Sequence, residues 1–420
     1  MPRLLSLNTY HYRRGGSDAV FLEHEALFRN LGWETAMFSM HHPQNAPSPW
    51  EQYFVSEIEF GRTYRWRDRL VMAAKIVYSL EARRKMASLL RRFKPDVAHV
   101  HCIYHHISPS VFSLLKERNI PIVLTAHDFK LLCPAYKMHN QRGICERCRS
   151  SKILPLVVNR CVKDSLALSS LIAVETFVHR TCGLYSRHLD KIVVPSRFYL
   201  RKFQEWGWRA SDLEYVPNFI QAADYIPQFE PGGYFVYFGR LIREKGVRTL
   251  LKAARMANCK LVLVGVGPDA ASLHAAIEGN PNVHIVDHRT GDALSTLVRG
   301  SRAVVLPSEL YENAPKSILE AYALGKPVIG ADIGGIPELI RVFQTGALFE
   351  SGNADDLAAR LLEYTHMHDA AVANQGRCAR QFVVESFSEE RYAHEMLRLY
   401  GSLGVAVKPV LDAEDGDRPN

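Results

Sequence analysis

Short apolar runs alternate with longer amphipathic stretches along most of the chain. The runs are three to six residues long and predict strands at 4–7, 34–39, 96–101, 121–125, 190–195, 234–238, 260–264, 283–286, 303–306 and 327–329. The amphipathic stretches predict helices, among them 19–31, 246–257, 318–324 and 387–400. Strands that are apolar throughout and alternate with helices are typical of buried parallel sheets. The pattern therefore predicts an α/β fold.

The alternation of strand and helix restarts near Tyr234, and a chain of 420 residues is too long for one ordinary hydrophobic core. We therefore predict two doubly wound, Rossmann-like domains, over 1–217 and 218–385, that face each other across a cleft. A last helix within 386–405 is expected to cross back to the first domain, and the polar tail 406–420 is expected to be disordered. Open parallel sheets bind ligands at the carboxyl ends of their strands, so the cleft is the expected site.

The most specific motif runs from Glu312 to Glu320, between a predicted strand and a predicted helix. The free N–H groups at a helix start attract anions, and a carboxylate can accept hydrogen bonds from two neighbouring hydroxyls of a sugar. One acid is therefore predicted to hold a ribose and the other a hexose, with phosphate between them on backbone amides. The alternative is a surface glutamate beside a helix-capping pair. The intervening donor-binding candidates are Asn313, Ala314, Pro315 and Lys316.

A second motif follows the strand at 234–238, where Gly239 is succeeded by the cations Arg240 and Lys245. A glycine turn with two cations suits a diphosphate: the guanidinium can reach two oxygens at once, whereas the ammonium acts as a point charge. At a distance of ~4 Å each cation contributes roughly 4 kcal/mol of Coulomb attraction at an effective dielectric constant near 20, before desolvation. Ordinary surface cations in a loop are the alternative.

Glycine turns follow other predicted strands. Gly15 and Gly16 lie between the first strand and the first helix, where backbone amides can approach a phosphate or a sugar without an intervening side chain. Gly265 and Gly267 end the strand at 260–264. All four are donor-binding candidates. A lone Gly-Gly pair is weak by itself, and its position after a strand is what favours binding.

These segments, together with Gly334 to Glu338, resemble the retaining glycosyltransferases of family 4, which have the two-domain GT-B fold. The similarity covers roughly residues 1–400. The resemblance implies that Glu320 binds the ribose of a nucleotide diphosphate sugar and that Glu312 binds the transferred sugar. It also implies that Arg240 and Lys245 stabilise the leaving diphosphate in place of a metal ion. No Asp-x-Asp string follows a predicted strand, so no catalytic metal is expected.

The N-terminal half carries histidines at predicted strand ends. His127 follows the strand at 121–125 and matches the cleft histidine of the family. The resemblance therefore implies that it contacts the donor sugar near its reacting carbon. A neutral structural histidine is the alternative. His99 and His101 are acceptor-side candidates, again with a structural role as the alternative. The catalytic candidates are His127, Arg240, Lys245 and Glu312.

The resemblance implies an enzyme that transfers a hexose or N-acetylhexosamine to a glycan in surface polysaccharide synthesis, with retention of configuration. The resemblance also implies front-side attack, with the leaving phosphate accepting the acceptor's proton, and the sequence offers no convincing carboxylate nucleophile for a double displacement. Asp287 follows a strand where relatives place a glycine beside the nucleobase, which leaves uridine and guanosine open. UDP sugars are favoured because they are commoner in the family. The alternative function is a non-catalytic nucleotide-sugar-binding module.

The net charge of +8 is unevenly distributed. Residues 1–200 contain 29 Lys and Arg against 16 Asp and Glu, whereas the remainder contains 23 against 28. Within 60–94, 11 basic and 2 acidic residues alternate with apolar residues at helical spacing, which suits an anionic lipid surface. An ordinary solvated helix face is the alternative. The charge favours a lipid-linked acceptor and the inner membrane surface as partners, and nucleic acid is not expected because no nucleic-acid-binding module accompanies it.

Five of the eight cysteines lie between Cys133 and Cys182. Cys145 and Cys148 form a Cys-x-x-Cys pair, and with Cys133 and Cys161 they make a candidate structural zinc site in an insert at about 133–161. Reduced packing cysteines and redox chemistry are the alternatives.

The expected location is cytoplasmic, with peripheral attachment to the cytoplasmic face of the membrane. Residues 1–8 lack the long apolar centre of a signal peptide. No apolar run in the sequence approaches the ~18 residues that span a bilayer.

Overall fold

The computed structural model describes residues 1–57, 66–150 and 152–407. Its strands are β1 (Arg3–Leu7), β2 (Glu34–Phe38), β3 (Val97–Val100), β4 (Ile122–Thr125), β5 (His139–Asn140), β6 (Gly143–Ile144), β7 (Lys191–Val194), β8 (Leu213–Tyr215), β9 (Phe235–Phe238), β10 (Leu261–Val264), β11 (Val283–Val286), β12 (Ala303–Leu306), β13 (Val328–Ala331) and β14 (Gly346–Phe349). Its α-helices are α1 (Gly16–Asn30), α2 (Trp66–Val77), α3 (Leu80–Arg92), α4 (Ser110–Lys116), α5 (Leu154–Val158), α6 (Leu166–Thr181), α7 (Arg197–Glu205), α8 (Val247–Met256), α9 (Ala270–Ile277), α10 (Gly291–Arg299), α11 (Lys316–Ala323), α12 (Ala354–His366), α13 (Asp369–Ser386) and α14 (Glu389–Ser402).

Two six-stranded sheets dominate the described residues, in the orders β2-β1-β3-β4-β7-β8 and β11-β10-β9-β12-β13-β14. All neighbouring strands in both sheets are parallel. The strand order reverses between β1 and β3 in the N-terminal sheet, and between β9 and β12 in the C-terminal sheet. Such a switch point opens a crevice at the carboxyl ends of the strands. The predicted α/β fold with two Rossmann-like doubly wound units is confirmed.

The central strands are buried because helices cover both faces of a parallel sheet. Every residue of β3, β4, β9 and β12 is buried. Their side chains enter separate large apolar clusters, with Ala98 and Leu124 in one and Val236 and Val304 in the other. Each sheet therefore has its own core.

All ten predicted strands are present, with ends shifted by at most two residues. The sequence did not predict the short hairpin strands β5 and β6, nor β8 and β14 of the two large sheets. β8 has only three residues, one of them a glutamate, and β14 begins with Gly346; glutamate and glycine are weak strand formers. The glycine has a packing reason, because a Cβ at this position would lie 1.9 Å from the carbonyl oxygen of Val328 in β13.

The last helix, α14, packs on the N-terminal sheet. Its residues Met396 and Tyr400 belong to the same buried cluster as Leu4 of β1. The chain therefore passes between the two halves twice, and the two passages touch: the N–H of Ile220 donates to the carbonyl oxygen of Phe387 at 3.0 Å. The exact boundary residues of the two domains stay a prediction.

Tyrosine hydroxyls of α14 contact a group of buried histidines. The Tyr400 hydroxyl lies 2.6 Å from Nδ1 of His99 and 3.1 Å from Nε2 of His24. The Tyr392 hydroxyl lies 2.9 Å from Nδ1 of His24. A hydroxyl has a single proton, so Tyr400 donates to one ring and accepts from the other. These contacts fix the returning helix on the first sheet.

The basic segment predicted at 60–94 lies partly outside the described residues. In the described part, α3 turns Met86, Leu89 and Leu90 into the N-terminal core, while Arg84 and Arg91 are exposed. This helix therefore presents charge to its surroundings, and its apolar side is already covered. None of the helices in the described ranges is long and apolar enough to cross a bilayer.

The cysteine-bearing insert contains the hairpin β5–β6. All eight cysteines are free thiols. Burial raises the pKa of Cys148 to about 12 and that of Cys161 to about 11, and the neighbouring thiols of Cys133 and Cys145 act in the same direction. Among residues 1–57, 66–150 and 152–407, no group of three or more His, Cys, Asp or Glu side chains is arranged to hold a metal ion. The candidate zinc site is therefore not supported.

Replacing Tyr400 by phenylalanine removes the hydroxyl that joins His24 and His99. Two buried ring nitrogens then lose a partner, and we expect the free energy of unfolding to fall by about 1–3 kcal/mol. Urea denaturation followed by circular dichroism measures the change. Tyr136→Phe is the control, because the Tyr136 side chain is exposed. Equal stability of the two variants would contradict the assignment of the hydroxyl.

Stability should also fall in mild acid. Burial lowers the pKa of His24 to about 3 and that of His127 to about 4, and it holds the pKa values of His99 and His101 well below 6.5. In the unfolded chain these rings titrate near 6.5, so below that pH the unfolded state takes up protons that the folded state does not. Each ring then removes about 1.4 kcal/mol per pH unit. Asp128 acts in the opposite direction, because burial raises its pKa to about 6.

The measurement is urea denaturation at several pH values from 6.5 down to 4.5. The free energy of unfolding of the wild type should drop steadily as the pH falls. His127→Gln removes one of the titrating rings, so its slope should be smaller by about 1.4 kcal/mol per pH unit. A flat wild-type profile would show that the rings are protonated in the folded state.

Candidate active site between the two sheets

The switch points of the two sheets place the predicted site residues along one crevice. In the N-terminal sheet, β1 leads into Gly15 and Gly16, and β4 leads into His127. In the C-terminal sheet, β9 leads into Gly239, and β12 leads into the segment that begins at Glu312. Side chains from these strand ends bond across the crevice, as described below. The predicted residues therefore converge from both halves.

Glu312 and Lys245 contact each other directly. The lysine Nζ lies 2.6 Å from Oε1 of the glutamate, and the hydroxyl of Ser308 donates to the same oxygen at 2.5 Å. Glu312 is 9% exposed, whereas Lys245 remains partly accessible. The predicted sugar-binding acid and the predicted phosphate-binding cation therefore occupy one small region. An incoming phosphate would compete with the carboxylate for the ammonium group.

Glu320 lies on α11 beside side chains from the other half of the protein. A guanidinium nitrogen of Arg13 lies 4.0 Å from Oε1 of Glu320. Arg13 also donates to Glu23 of α1 at 3.0 Å, and Lys316 donates to the other oxygen of Glu23. Burial raises the pKa of Glu320, against the opposing effects of Lys316 and Arg13. Two cations and two acids thus surround the start of α11.

Asn313 bridges the crevice with both ends of its amide. Its Nδ2 donates to the carbonyl oxygen of Ala126 at 2.9 Å, and its Oδ1 accepts from the hydroxyl of Ser196 at 2.9 Å. Next to it, the carbonyl oxygen of Ala314 accepts from Nδ2 of Asn218 at 3.1 Å. The predicted donor-binding segment is therefore also the segment that joins the two halves.

Glycines behind this segment permit close packing. A Cβ at Gly334, which has a φ of 63°, would lie 2.5 Å from the carbonyl oxygen of Glu312. A Cβ at Gly335 would lie 1.9 Å from that of Asn313. Glu338, three residues further on, accepts from the backbone N–H of Arg197 at 2.7 Å. The Gly334–Glu338 motif therefore packs closely against the segment that carries Glu312 and Asn313.

The remaining glycine candidates fall into two groups. Cβ atoms at Gly265 and Gly267 would lie 1.9 Å and 2.2 Å from the carbonyl oxygens of Gly239 and Leu241, so these glycines let the loops after β9 and β10 pack together. By contrast, a Cβ at Gly15 or Gly16 would meet no atom within 4 Å. The first glycine turn therefore borders open space that a ligand can enter. Arg240, Pro315 and Asp287 also lie on loops, with the side chains of Arg240 and Asp287 exposed.

His127 is paired with another ring. Its Nε2 lies 2.8 Å from Nδ1 of His101, and the two rings are stacked with centroids 5.1 Å apart. Burial lowers the pKa of His127 to about 4, so the ring is neutral near pH 7. His99 is fully buried, with its ring nitrogens at 2.6 Å from Tyr400 and 2.7 Å from Thr125. His99 therefore lies in the core, which agrees with the structural role left open above.

Several residues of this region were not identified from the sequence. Glu23 joins Arg13 to Lys316, and Ser196 holds Asn313. Ser196 also accepts from the N–H of Tyr199 as the N-cap of α7, which is a common role for serine and gave no sign of a second contact. Glu23 is an ordinary residue on the polar side of an amphipathic helix. Only the placement of the two halves assigns these residues to the crevice.

Comparison with known proteins agrees with this arrangement. The family model described as glycosyl transferases group 1 matches residues 225–381, and the model described as a glycosyl transferase 4-like domain matches residues 15–218. Alpha-maltose-1-phosphate synthase of Mycobacterium tuberculosis is 30% identical over 361 residues, which are 80% of this chain and 86% of that protein. N-acetyl-alpha-D-glucosaminyl L-malate synthase of Bacillus anthracis is 26% identical over 337 residues, which are 77% of this chain and 79% of that protein.

Solved structures share the fold at low sequence identity. Sucrose-phosphate synthase from Thermosynechococcus elongatus superposes with a TM-score of 0.71 at 18% identity, covering 96% of this chain and 99% of that one. Anabaena HepE in complex with UDP and glucose gives a TM-score of 0.67 at 15% identity, covering 96% and 100%. The two family models and the 30% identical relative together show that the chain belongs to the family 4 glycosyltransferases, the glycosyl transferases of group 1, with the GT-B fold.

Proposed function

We propose that this glycosyltransferase moves a hexose or N-acetylhexosamine from a UDP sugar to a glycan acceptor in surface polysaccharide synthesis. The observation that carries the proposal is that Lys245 contacts Glu312 at one end of the Glu312–Glu320 segment, while Arg13 of the N-terminal half reaches Glu320 at the other end. Acids for hydroxyls and cations for a diphosphate are the groups that a nucleotide sugar requires. A protein that only bound the donor would release no nucleotide when an acceptor is added.

In this proposal the two acids hold the two sugars of the donor. Glu320 accepts hydrogen bonds from the ribose hydroxyls, and Glu312 accepts them from the transferred sugar. The diphosphate lies between them, against the amides near Ala314 to Lys316 and beside the glycine turn Gly15-Gly16. Arg240 and Lys245 neutralise the charge that develops on the leaving phosphate, which lowers the barrier. His127, neutral near pH 7, contacts the transferred sugar near its reacting carbon.

The choice of UDP rests on relatives as well as on the family. Structures of Anabaena HepE were determined with UDP and with UDP-glucose, and that protein shares the fold of this chain. Asp287, exposed after β11 at the edge of the C-terminal sheet, is in the region where we place the nucleobase. Differential scanning fluorimetry with UDP and with GDP measures which nucleotide raises the melting temperature of the protein more.

We propose retention of configuration through front-side attack, with the leaving phosphate accepting the acceptor's proton and no metal ion in the reaction. Lys245 and Arg240 supply the positive charge that a metal ion supplies in other transferases. The anomeric configuration of the product, read by NMR, tests retention, and the rate in excess chelator tests metal independence.

We propose a lipid-linked glycan as the acceptor, presented at the cytoplasmic face of a membrane. The support is the excess of 13 positive charges over residues 1–200, counted as 29 basic against 16 acidic residues, together with the exposed cations of α3. Anionic lipid surfaces attract such a charge distribution, and the attraction weakens with salt.

Lys245→Ala removes the proposed phosphate contact. We expect kcat to fall about a hundredfold or more, because the developing charge on the leaving diphosphate loses a nearby cation. The assay is acceptor-dependent release of nucleotide with purified protein. Lys252→Ala is the control, since Lys252 is an exposed lysine of α8. Similar rates for the two variants would remove Lys245 from the site.

Glu320→Gln tests the ribose contact. Losing the charged acceptor should weaken donor binding about 10- to 100-fold, as expected for hydrogen bonds to a charged group. Isothermal titration with UDP and with UDP sugars measures the affinity. Glu385→Gln, an exposed glutamate on α13, serves as the matched control. Unchanged affinity in Glu320→Gln would place the ribose elsewhere.

A further inference from the structure

Helix α6 has its polar and apolar sides reversed relative to an ordinary surface helix. The side turned inward carries four buried polar residues, Ser169, Glu175, Thr176 and His179, beside the buried Ile172. The exposed positions include Leu166, Val174 and Phe177, which are between 53% and 61% exposed. A helix that only faces water normally has the opposite pattern, with apolar residues inward and charges outward.

The inward polar side has a structural explanation. Glu175 forms a buried ion pair with Lys130, whose Nζ lies 2.8 Å from the carboxylate. Nε2 of His179 lies 2.7 Å from the carbonyl oxygen of Val77, at the end of α2. These contacts fix which side of α6 faces the core. The apolar side is therefore held outward, although exposing it to water is unfavourable.

The neighbouring helix extends the apolar surface. α5 packs against α6, and its residues Leu154 and Val158 are 72% and 70% exposed. α2 also packs against α6, and its Val71 is 57% exposed. We call the surface made by the exposed apolar side chains of α5 and α6 the α5–α6 face. The residues that define it are Leu154, Val158, Leu166, Val174 and Phe177.

Exposed cations flank the residues of this face in the sequence. Residues 152–187 contain five Lys and Arg against two acids, and one of these acids is the buried Glu175. Lys152 and Arg160 are exposed two residues before Leu154 and two residues after Val158, and Arg187 is exposed beyond the end of α6. An apolar surface bordered by basic side chains matches a lipid layer with anionic headgroups, because the apolar side chains enter the acyl boundary while the cations remain among the phosphates.

We propose that the α5–α6 face is the surface by which this protein docks on an anionic lipid membrane. A second copy of the chain is a poorer occupant, since pairing two such faces would bring two positively charged surfaces together. The face is also connected to the crevice: the N–H of Lys130 donates to Asp128 at 2.9 Å, next to His127, and its ammonium group pairs with Glu175 on α6. A membrane-docking surface would bring the crevice close to a lipid-linked acceptor, so its biological role rests on the proposed function. The vesicle-binding test does not depend on that function.

The test is co-sedimentation of the full chain with vesicles made of equal parts phosphatidylglycerol and phosphatidylcholine. The variant is Val174→Ser combined with Phe177→Ser, which changes only exposed side chains. We expect its vesicle partition coefficient to be at least about tenfold lower than that of the wild type. The matched control is Ile226→Ser combined with Phe343→Ser, since these side chains are 71% and 76% exposed in the C-terminal half. The control should bind vesicles like the wild type.

Three results would overturn the proposal. The first is equal vesicle binding by the Val174→Ser, Phe177→Ser variant and the wild type. The second is equal binding of the wild type to vesicles of phosphatidylcholine alone, which would remove the role of the anionic headgroup. The third is a wild-type dimer in light scattering that the same variant converts to a monomer, which would assign the face to a second copy.

A thermal shift with UDP separates this proposal from the proposed function. The Val174→Ser, Phe177→Ser variant should keep the wild-type shift, because neither residue lies at the crevice. Vesicle binding without any UDP shift in the wild type would contradict the proposed UDP donor and leave the docking surface standing. A normal UDP shift without vesicle binding would overturn the docking surface and leave the proposed UDP donor standing.

Discussion

The amide of Asn313 holds the carboxyl edges of the two sheets together, and the rest of the site depends on that contact. Its two hydrogen bonds end on Ala126, directly after β4, and on Ser196, two residues after β7. Ala126 precedes His127, and Asn313 follows Glu312. This side chain therefore helps to set the separation between the histidine of one half and the acid of the other, together with contacts such as that of Glu338 with Arg197. The amide suits this position because it can donate and accept at once.

Charge around the crevice is arranged in pairs that a ligand can rearrange. Lys245 lies on Glu312, and Arg13 lies between Glu23 and Glu320. Every proposed donor-binding acid thus already has a cation nearby, which limits the cost of burying it. A nucleotide sugar brings both an anion for the cations and hydroxyls for the acids. Its binding exchanges partners within the crevice and leaves few charges unpaired.

Most of the fold was accessible from the sequence, because strands buried on both faces are apolar throughout and the helices between them are amphipathic. The family resemblance carried by the Glu312–Glu320 segment is confirmed. The weak strands β8 and β14 were missed since their sequences carry little strand signal. Glu23 and Ser196 were missed for another reason: their contacts cross between halves that are distant in sequence, and no local pattern encodes such a distance.

In the basic segment and in α6, the sequence does not determine which side of a helix faces the core. The charge of residues 60–94 predicted a lipid-binding surface there, but the apolar side of α3 packs into the N-terminal core. The structure is needed to show which apolar side chains remain exposed. In α6 the polar residues Glu175 and His179 face inward, and Glu175 pairs there with the buried Lys130. Periodicity gives the two sides of a helix without stating which one faces the protein.

The return of α14 to the first sheet has a mechanical consequence. Because the two passages of the chain lie against each other at Ile220 and Phe387, two adjacent connecting segments join the halves. Two adjacent connections constrain the relative movement of the halves more than one connection would. If the crevice widens, rotation about the line through both passages is the movement that leaves their contact intact.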